Sequence, residues 1–163
     1  MKYKGGRRVS VDLPDLDRKV EAGTFSAAEG ALIRDYMEEM TAERGFSPAW
    51  VTAKYHLVSR IVQVMHDNGI ALDGARSKDI RTAANALRSS VFRDNYKRAT
   101  ISVLKSLAVW LARRGQDIDP ATVQKIKLPR RVWKTKTPED MLSKAEVLRV
   151  IDACRSADRK SVV

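Results

Sequence analysis

Apolar residues recur along most of this chain at intervals of three and four, and nowhere do they alternate with period two over a useful length. Such spacing is that of helices buried on one side. The first clear start is Ser26-Ala-Ala-Glu29, a capping box in which the serine accepts from the first free amides and the glutamate reaches back. A helix is predicted from there to about Arg44, burying Ala28, Leu32, Ile33, Tyr36, Met37 and Met40, with Gly45 as its left-handed stop. Ser47-Pro48 opens the next with a capping side chain and a pre-set φ. Val51, Tyr55, Val58, Val62 and Met65 follow at helical spacing until Asn68-Gly69. A third helix starts at Ser77, carries Ile80, Ala83, Ala84 and Leu87, and ends near Ser89-Ser90. The fourth has the clearest stripe, Tyr96, Thr100, Val103, Leu104, Leu107, Ala108 and Leu111, and ends in Arg113-Arg114, where cations suit the helix dipole. Asp119-Pro120 can start one more short turn to about Ile126.

The expected fold is therefore all-α, a compact bundle of four to five helices over residues 26–126. Residues 1–25 mix Gly5-Gly6, the basic pair Arg7-Arg8 and an acidic stretch from Asp12 to Asp17 without a sustained period, and are expected to be loosely ordered. Between Lys125 and Lys136 the composition changes: six basic side chains, no acid, and Pro129 and Pro138 nearby. This predicts an extended basic linker over 127–142. Ser143-Lys-Ala-Glu146 is a second capping box, opening a further helix through about Arg155 that exposes Val147, Leu148, Val150 and Ile151.

Charge narrows the function. The 163 residues are 44% hydrophobic, enough for a core, yet carry 31 Lys and Arg against 20 Asp and Glu, a formal net charge of +11. No fold needs that excess; it attracts polyanions, with nucleic acid first and anionic membrane second. No apolar run reaches the roughly 20 residues of a membrane span, and the charged amino terminus lacks an apolar signal core. A single cysteine, Cys154, forms no internal disulfide and fits a reducing cytoplasm, where it reads as a packed core thiol. Catalytic chemistry is missing from the inventory. His56 and His66 with one cysteine give no zinc spacing, and there is no phosphate-binding glycine loop or nucleophilic serine in its usual setting. No metal or other cofactor is expected. Tyr36, Tyr55 and Tyr96 read as core, and Tyr3 lies in the loose amino terminus.

Two polar helix faces remain. On the fourth helix Asn95, Arg98, Ser102, Lys105 and Arg113 combine phosphate donors with side chains able to read base edges. On the second, Thr52, His56, Ser59, Arg60 and Gln63 share the polar side, with Lys54 at its flank. Two such helices can straddle a duplex, although ordinary solvated faces would look the same, and His56 has no partner for metal or acid–base work. The linker cations Lys125, Lys127, Arg130, Arg131, Lys134 and Lys136 are suited to neutralising phosphates and releasing counterions, with a solvated hinge as the alternative. Lys2, Lys4, Arg7 and Arg8 can add a phosphate-seeking arm or form a disordered tail.

Over about residues 17–160 the chain resembles the archaeal-type tyrosine recombinases and phage integrases. The resemblance rests on the order of its parts. The helix Ser26–Arg44 leads into Gly45-Phe46-Ser47 and a long second helix. Leu107-Ala-Val-Trp110-Leu111 ends a later helix, and a basic linker precedes the start Leu142-Ser-Lys-Ala-Glu146-Val147, with Asp158-Arg159 further on. It implies a core-binding, SAM-like domain that forms half of a C-shaped clamp on double-stranded DNA and presses two helices toward the major groove. Residues 143–163 would then open a catalytic domain whose arginines, lysine, histidines and tyrosine lie beyond Val163. On that reading this portion is not itself an enzyme, although its parent breaks and rejoins DNA. The fragment would be monomeric alone and meet other protomers only on DNA. A helix-turn-helix regulator and an RNA-binding helical module are the alternatives; the long second and fourth helices argue against the first.

Overall fold

A computed structural model describes residues 10–45, 47–131, 143–149 and 151. The protein is all-α: among the described residues there is no strand. The chain divides into two units, Met1–Arg131 and Val132–Val163. In the first, the helices run α1 (Pro14–Glu21), α2 (Ala27–Arg44), α3 (Pro48–Asp67), α4 (Ser77–Ser89), α5 (Asp94–Arg113) and α6 (Pro120–Gln124).

The caps form as their residue types require. Ser26 Oγ accepts from the Glu29 amide and Glu29 Oε2 accepts from the Ser26 amide, closing the box, while Gly45 ends α2 at φ 63°. Ser47 caps α3 with Pro48 in its first turn. Asp119 Oδ atoms accept from the Ala121 and Thr122 amides and start α6 at Pro120. In the second unit, residues 144–149 are helical behind the Ser143 and Glu146 box, and Val147, Leu148 and Ile151 are exposed as expected. Val150 and Cys154 lie outside the described residues.

The amino-terminal segment departs from expectation. Residues 11–25 are not loose: Val11, Leu13, Leu16 and Phe25 are buried in the same core as the later helices. Pro14 fixes the first turn of α1, Asp15 and Asp17 face its positive end, and Arg18 and Lys19 its negative end. Asp15 fastens this helix to α3. Its Oδ2 accepts from Lys19 Nζ at 2.7 Å and from the Tyr55 hydroxyl at 2.9 Å, and those two contacts hold its carboxyl below the usual value. Burial, then Asp15, pushes the Tyr55 hydroxyl up. Residues 1–9 lie outside the described ones. Among the described residues, 26–126 hold five helices, α2 to α6, within the four to five expected, and α1 adds a sixth ahead of them.

Around α5 the core closes on three neighbours, α3, α4 and α6. Ile101, Leu104, Leu107, Ala108 and Leu111 have no exposed surface, and Ile61, Val62, Met65 and Leu87 meet them from α3 and α4. Each such aliphatic side chain contributes about 1.5–3 kcal/mol by burial. Three sequence expectations are corrected here. Tyr96 is 37% exposed rather than core, because it stands in the first turn of α5, beyond the cover of the neighbouring helices, with the Phe92 ring beside it at 5.1 Å. Ala28 is exposed on the first turn of α2. Ser59 is buried rather than part of a polar face, since Lys19 Nζ reaches it from α1 at 2.6 Å.

One buried charge organises the bundle's lower corner. Glu29 is 2% exposed, and its carboxylate accepts from the Ser26 amide, from the Leu72 amide at 2.9 Å and meets His66 Nε2 at 2.7 Å. Burial opposes its charge, but the Leu72, His66 and Ser26 contacts outweigh that penalty and leave the carboxyl below its ordinary value of 4.5. The stability it supplies is complete above that value and is lost as the pH falls below it and through the depressed value of the folded state.

Glu29→Gln is expected to lower stability at neutral pH by about 2 kcal/mol and to flatten the acid side of a stability-versus-pH curve measured by urea denaturation. An unchanged acid limb would remove Glu29 from this role. Leu107→Ala is expected to cost about 2–5 kcal/mol and Tyr96→Ala about 1 kcal/mol or less, read from the same denaturation midpoints.

Candidate nucleic-acid interface

The cationic candidates fall into three groups. On α3, Thr52 and His56 are exposed, but their contacts are local: Thr52 Oγ1 donates to the Pro48 carbonyl and the His56 ring tilts against Tyr55 at 5.8 Å. Gln63 likewise donates to Asp67 within the helix. Lys54 is half-buried, with Nζ 4.6 Å from the centre of the Trp50 ring. Burial, and then the charge of Arg44, lowers its ammonium below the ordinary lysine value. Arg60 lays its guanidinium over the Phe92 ring at 4.6 Å, while its buried Nε has no hydrogen-bond partner among the described residues.

The second group sits where α2, α3 and α5 meet. Arg44, Lys54 and Ser102 line one small cleft of about 150 Å³, together with Trp50 and Ser106. Ser102 is therefore brought beside Lys54, as a surface spanning the two helices requires. Asn95 is exposed in the first turn of α5, and Arg113 is exposed in its last.

The third group is the most informative. Lys105 Nζ donates to the Gln124 and Ile126 carbonyls, both at 3.0 Å. Arg98 Nη1 donates to the Pro129 carbonyl at 2.7 Å, and Arg88 Nη2 from α4 donates to the Lys127 carbonyl. Three cations thus hold four backbone carbonyls, from the last residue of α6 to Pro129. Ile126 is buried and Leu128 half-buried beneath them. This corrects two expectations. Residues 127–131 are docked on the helical unit instead of starting a free linker, and the boundary between units falls after Arg131. Arg98 and Lys105 are also structural, not simply exposed charges.

With Ile126 and Leu128 turned inward, the segment's cations stand outward: Lys125, Lys127, Arg130 and Arg131 are all exposed. Sequence spacing brought Arg98 and Lys105 onto one face but missed Arg88, whose target is 39 residues away. Arg44 was also missed, since only the meeting of α2 with α3 places it next to Lys54. Lys134 and Lys136, like Lys2, Lys4, Arg7 and Arg8, lie outside the described residues.

Acids are distributed unevenly around these cations. Arg34 pairs with Asp17, and Arg114 pairs with Asp35 at 2.8 Å and Glu39 at 3.3 Å while stacking on Trp110. Those pairs belong to α1, α2 and the end of α5. Among the described residues, no group of histidine, cysteine, aspartate and glutamate could hold a metal ion, and no helix is long and apolar enough to cross a membrane. No family model, curated protein or solved structure matches the chain.

Removing both Arg98 and Lys105 side chains as alanines is expected to release the segment after α6. Limited trypsin digestion should then cut at Lys125 and Lys127 at least several times faster than in the unaltered chain, with a stability loss of about 1–3 kcal/mol. Equal cleavage rates would show that the carbonyl contacts do not hold the segment.

Proposed function

We propose that the chain is the DNA-gripping part of a site-specific tyrosine recombinase or integrase, holding duplex DNA for recombination and integration while its parent supplies the cutting chemistry. The observation that carries this reading is the convergence of α5 with the docked basic segment. Arg98 and Lys105 hold the backbone between Gln124 and Pro129, and Lys125, Lys127, Arg130 and Arg131, on it and just after it, are exposed. The result is a row of exposed cations fixed at their roots, suited to a phosphate backbone rather than to any small anion. Ser102, Lys54 and Arg44 extend the cationic and polar surface toward α3. The formal net charge of +11 supports the same partner.

Roles divide by chemistry. Lysines and arginines of the segment neutralise phosphates and position the protein without reading sequence, whereas Asn95, Thr52 and Ser102 are the side chains able to meet base edges. On this reading the protein acts in the cytoplasm, without a cofactor, is monomeric free in solution, and meets further protomers on DNA.

Fluorescence anisotropy with a labelled duplex should show binding of similar strength for unrelated sequences. Affinity should fall steeply with salt, with a log–log slope of about −0.9 for each phosphate neutralised, and no covalent protein–DNA product should form. Absence of binding at low salt, stronger binding to duplex RNA, or a nicked covalent product would each overturn the assignment.

A further inference from the structure

Beyond α5 and its captured segment lies a groove between α4 and α6, about 630 Å³ in volume, to which no role has yet been given. Its polar walls are Arg81, Asn85 and Arg88 from α4 and Lys125 and Lys127 opposite. Residues 81, 85 and 88 are spaced four and three apart, so they lie on one face of α4. At 1.5 Å per residue the two arginines are rooted about 10.5 Å apart along the helix, enough to address separate phosphates. Among the described residues, no carboxylate lines the groove.

The contrast with the rest of the surface is chemical. On the α1 and α2 side, arginines face Asp15, Asp17, Asp35 and Glu39. Two acids of these elements serve helix starts: Asp79 accepts from the Arg76 amide, and Asp119, which also feels the charge of Lys125, accepts from Ala121 and Thr122. Among the described residues neither Arg81, Arg88, Lys125 nor Lys127 forms an ion pair. Arg88 is held in place by Asn85 at 2.9 Å and by the Lys127 carbonyl, which occupies two of its five N–H donors and leaves the others available.

Connectivity supplies the rest. The segment of residues 124–129 is held on one side by Lys105 and Arg98 and on the other by Arg88, so the groove adjoins the α5 row through a single stretch of backbone. We propose that the α4–α6 groove is a further phosphodiester-binding subsite, in which Arg81 and Arg88 engage the sugar–phosphate backbone of the same duplex beyond its contact with α5. Arginine suits this role because its planar fork matches phosphate oxygens. The inference rests on the duplex-DNA reading above and adds to it residues that neither polar face of α3 or α5 contains.

The test compares salt titrations of duplex binding for the full chain and three variants. Arg81→Ala should reduce the magnitude of the log–log slope by about 0.9, one phosphate's share, and weaken binding equally for two unrelated sequences. Arg81→Lys should restore most of the slope. Arg18→Ala, an exposed cation paired with Asp15 on α1, should leave the slope unchanged. If the unaltered chain binds duplex with a steep slope but Arg81→Ala behaves like Arg18→Ala, the subsite is refuted while the DNA reading stands. Loss of affinity in Arg81→Ala without a change of slope, or without rescue by lysine, would mark a structural effect and also refute it. Failure of the unaltered chain to bind duplex at all would overturn both.

Discussion

Helix α5 has to be covered on two adjoining rows at once, and the rest of the first unit is arranged to do so. Thr100, Val103, Leu107 and Trp110 form one row, and Ile101, Leu104, Ala108 and Leu111 the next. A stripe that wide cannot be buried by a single partner. It is met by α3, by α4 and by the short α6 together. Even its polar member conforms, since Thr100 Oγ1 donates to the Tyr96 carbonyl of its own helix and so brings no unpaired hydroxyl into the core. With α5 fixed on those sides, its remaining face can carry only solvent-tolerant side chains, which is where Arg98, Ser102 and Lys105 stand.

Those cations do two kinds of work. A lysine or arginine that donates to backbone carbonyls is already partly desolvated and oriented, so less side-chain freedom is lost when an anion arrives. The same contacts decide where Lys125, Lys127, Arg130 and Arg131 begin, because the backbone that bears them is fastened before any ligand is present. Electrostatic binding through a long flexible chain would lose much of its strength to ordering; a segment anchored at Gln124, Ile126, Lys127 and Pro129 loses less.

Much of this was legible in the chain, and the failures are local. The starts at Ser26, Ser47, Ser143 and Asp119 were readable because a cap depends on neighbours three residues away, and α5 was readable because its stripe is long. Helix α1 escaped because Asp12, Asp15 and Asp17 mask an apolar set, Val11, Leu13, Leu16 and Val20, that is too short to show a period. Tyr96 and Ala28 misled for the opposite reason: both fit a helical stripe, but first turns extend past what their neighbours cover. Ser59 and the docked segment depended on partners far along the chain, Lys19 for the serine and Arg88, Arg98 and Lys105 for the carbonyls. No spacing rule reports such pairings. The basic character of the candidate surface was evident from composition, whereas its continuity across Lys54, Ser102 and Arg44, and its division from the acid-rich side of α1 and α2, required the packed helices.

Glu29 has a neighbour whose importance is easy to miss. Gly30 is buried inside α2, where a glycine costs about 1 kcal/mol of helix stability relative to alanine, and a methyl group built there would lie 2.6 Å from Val20 Cγ2. Valine has little freedom to move aside. The vacancy at position 30 therefore sets how closely α1 and α2 can cross, and it turns one residue into a diagnostic for comparing homologous chains. A chain that keeps the Ser26 and Glu29 box but carries alanine or larger at this position must seat its first helix farther out or dispense with it. A chain that keeps the glycine together with valine at position 20 can retain the amino-terminal helix where it lies here.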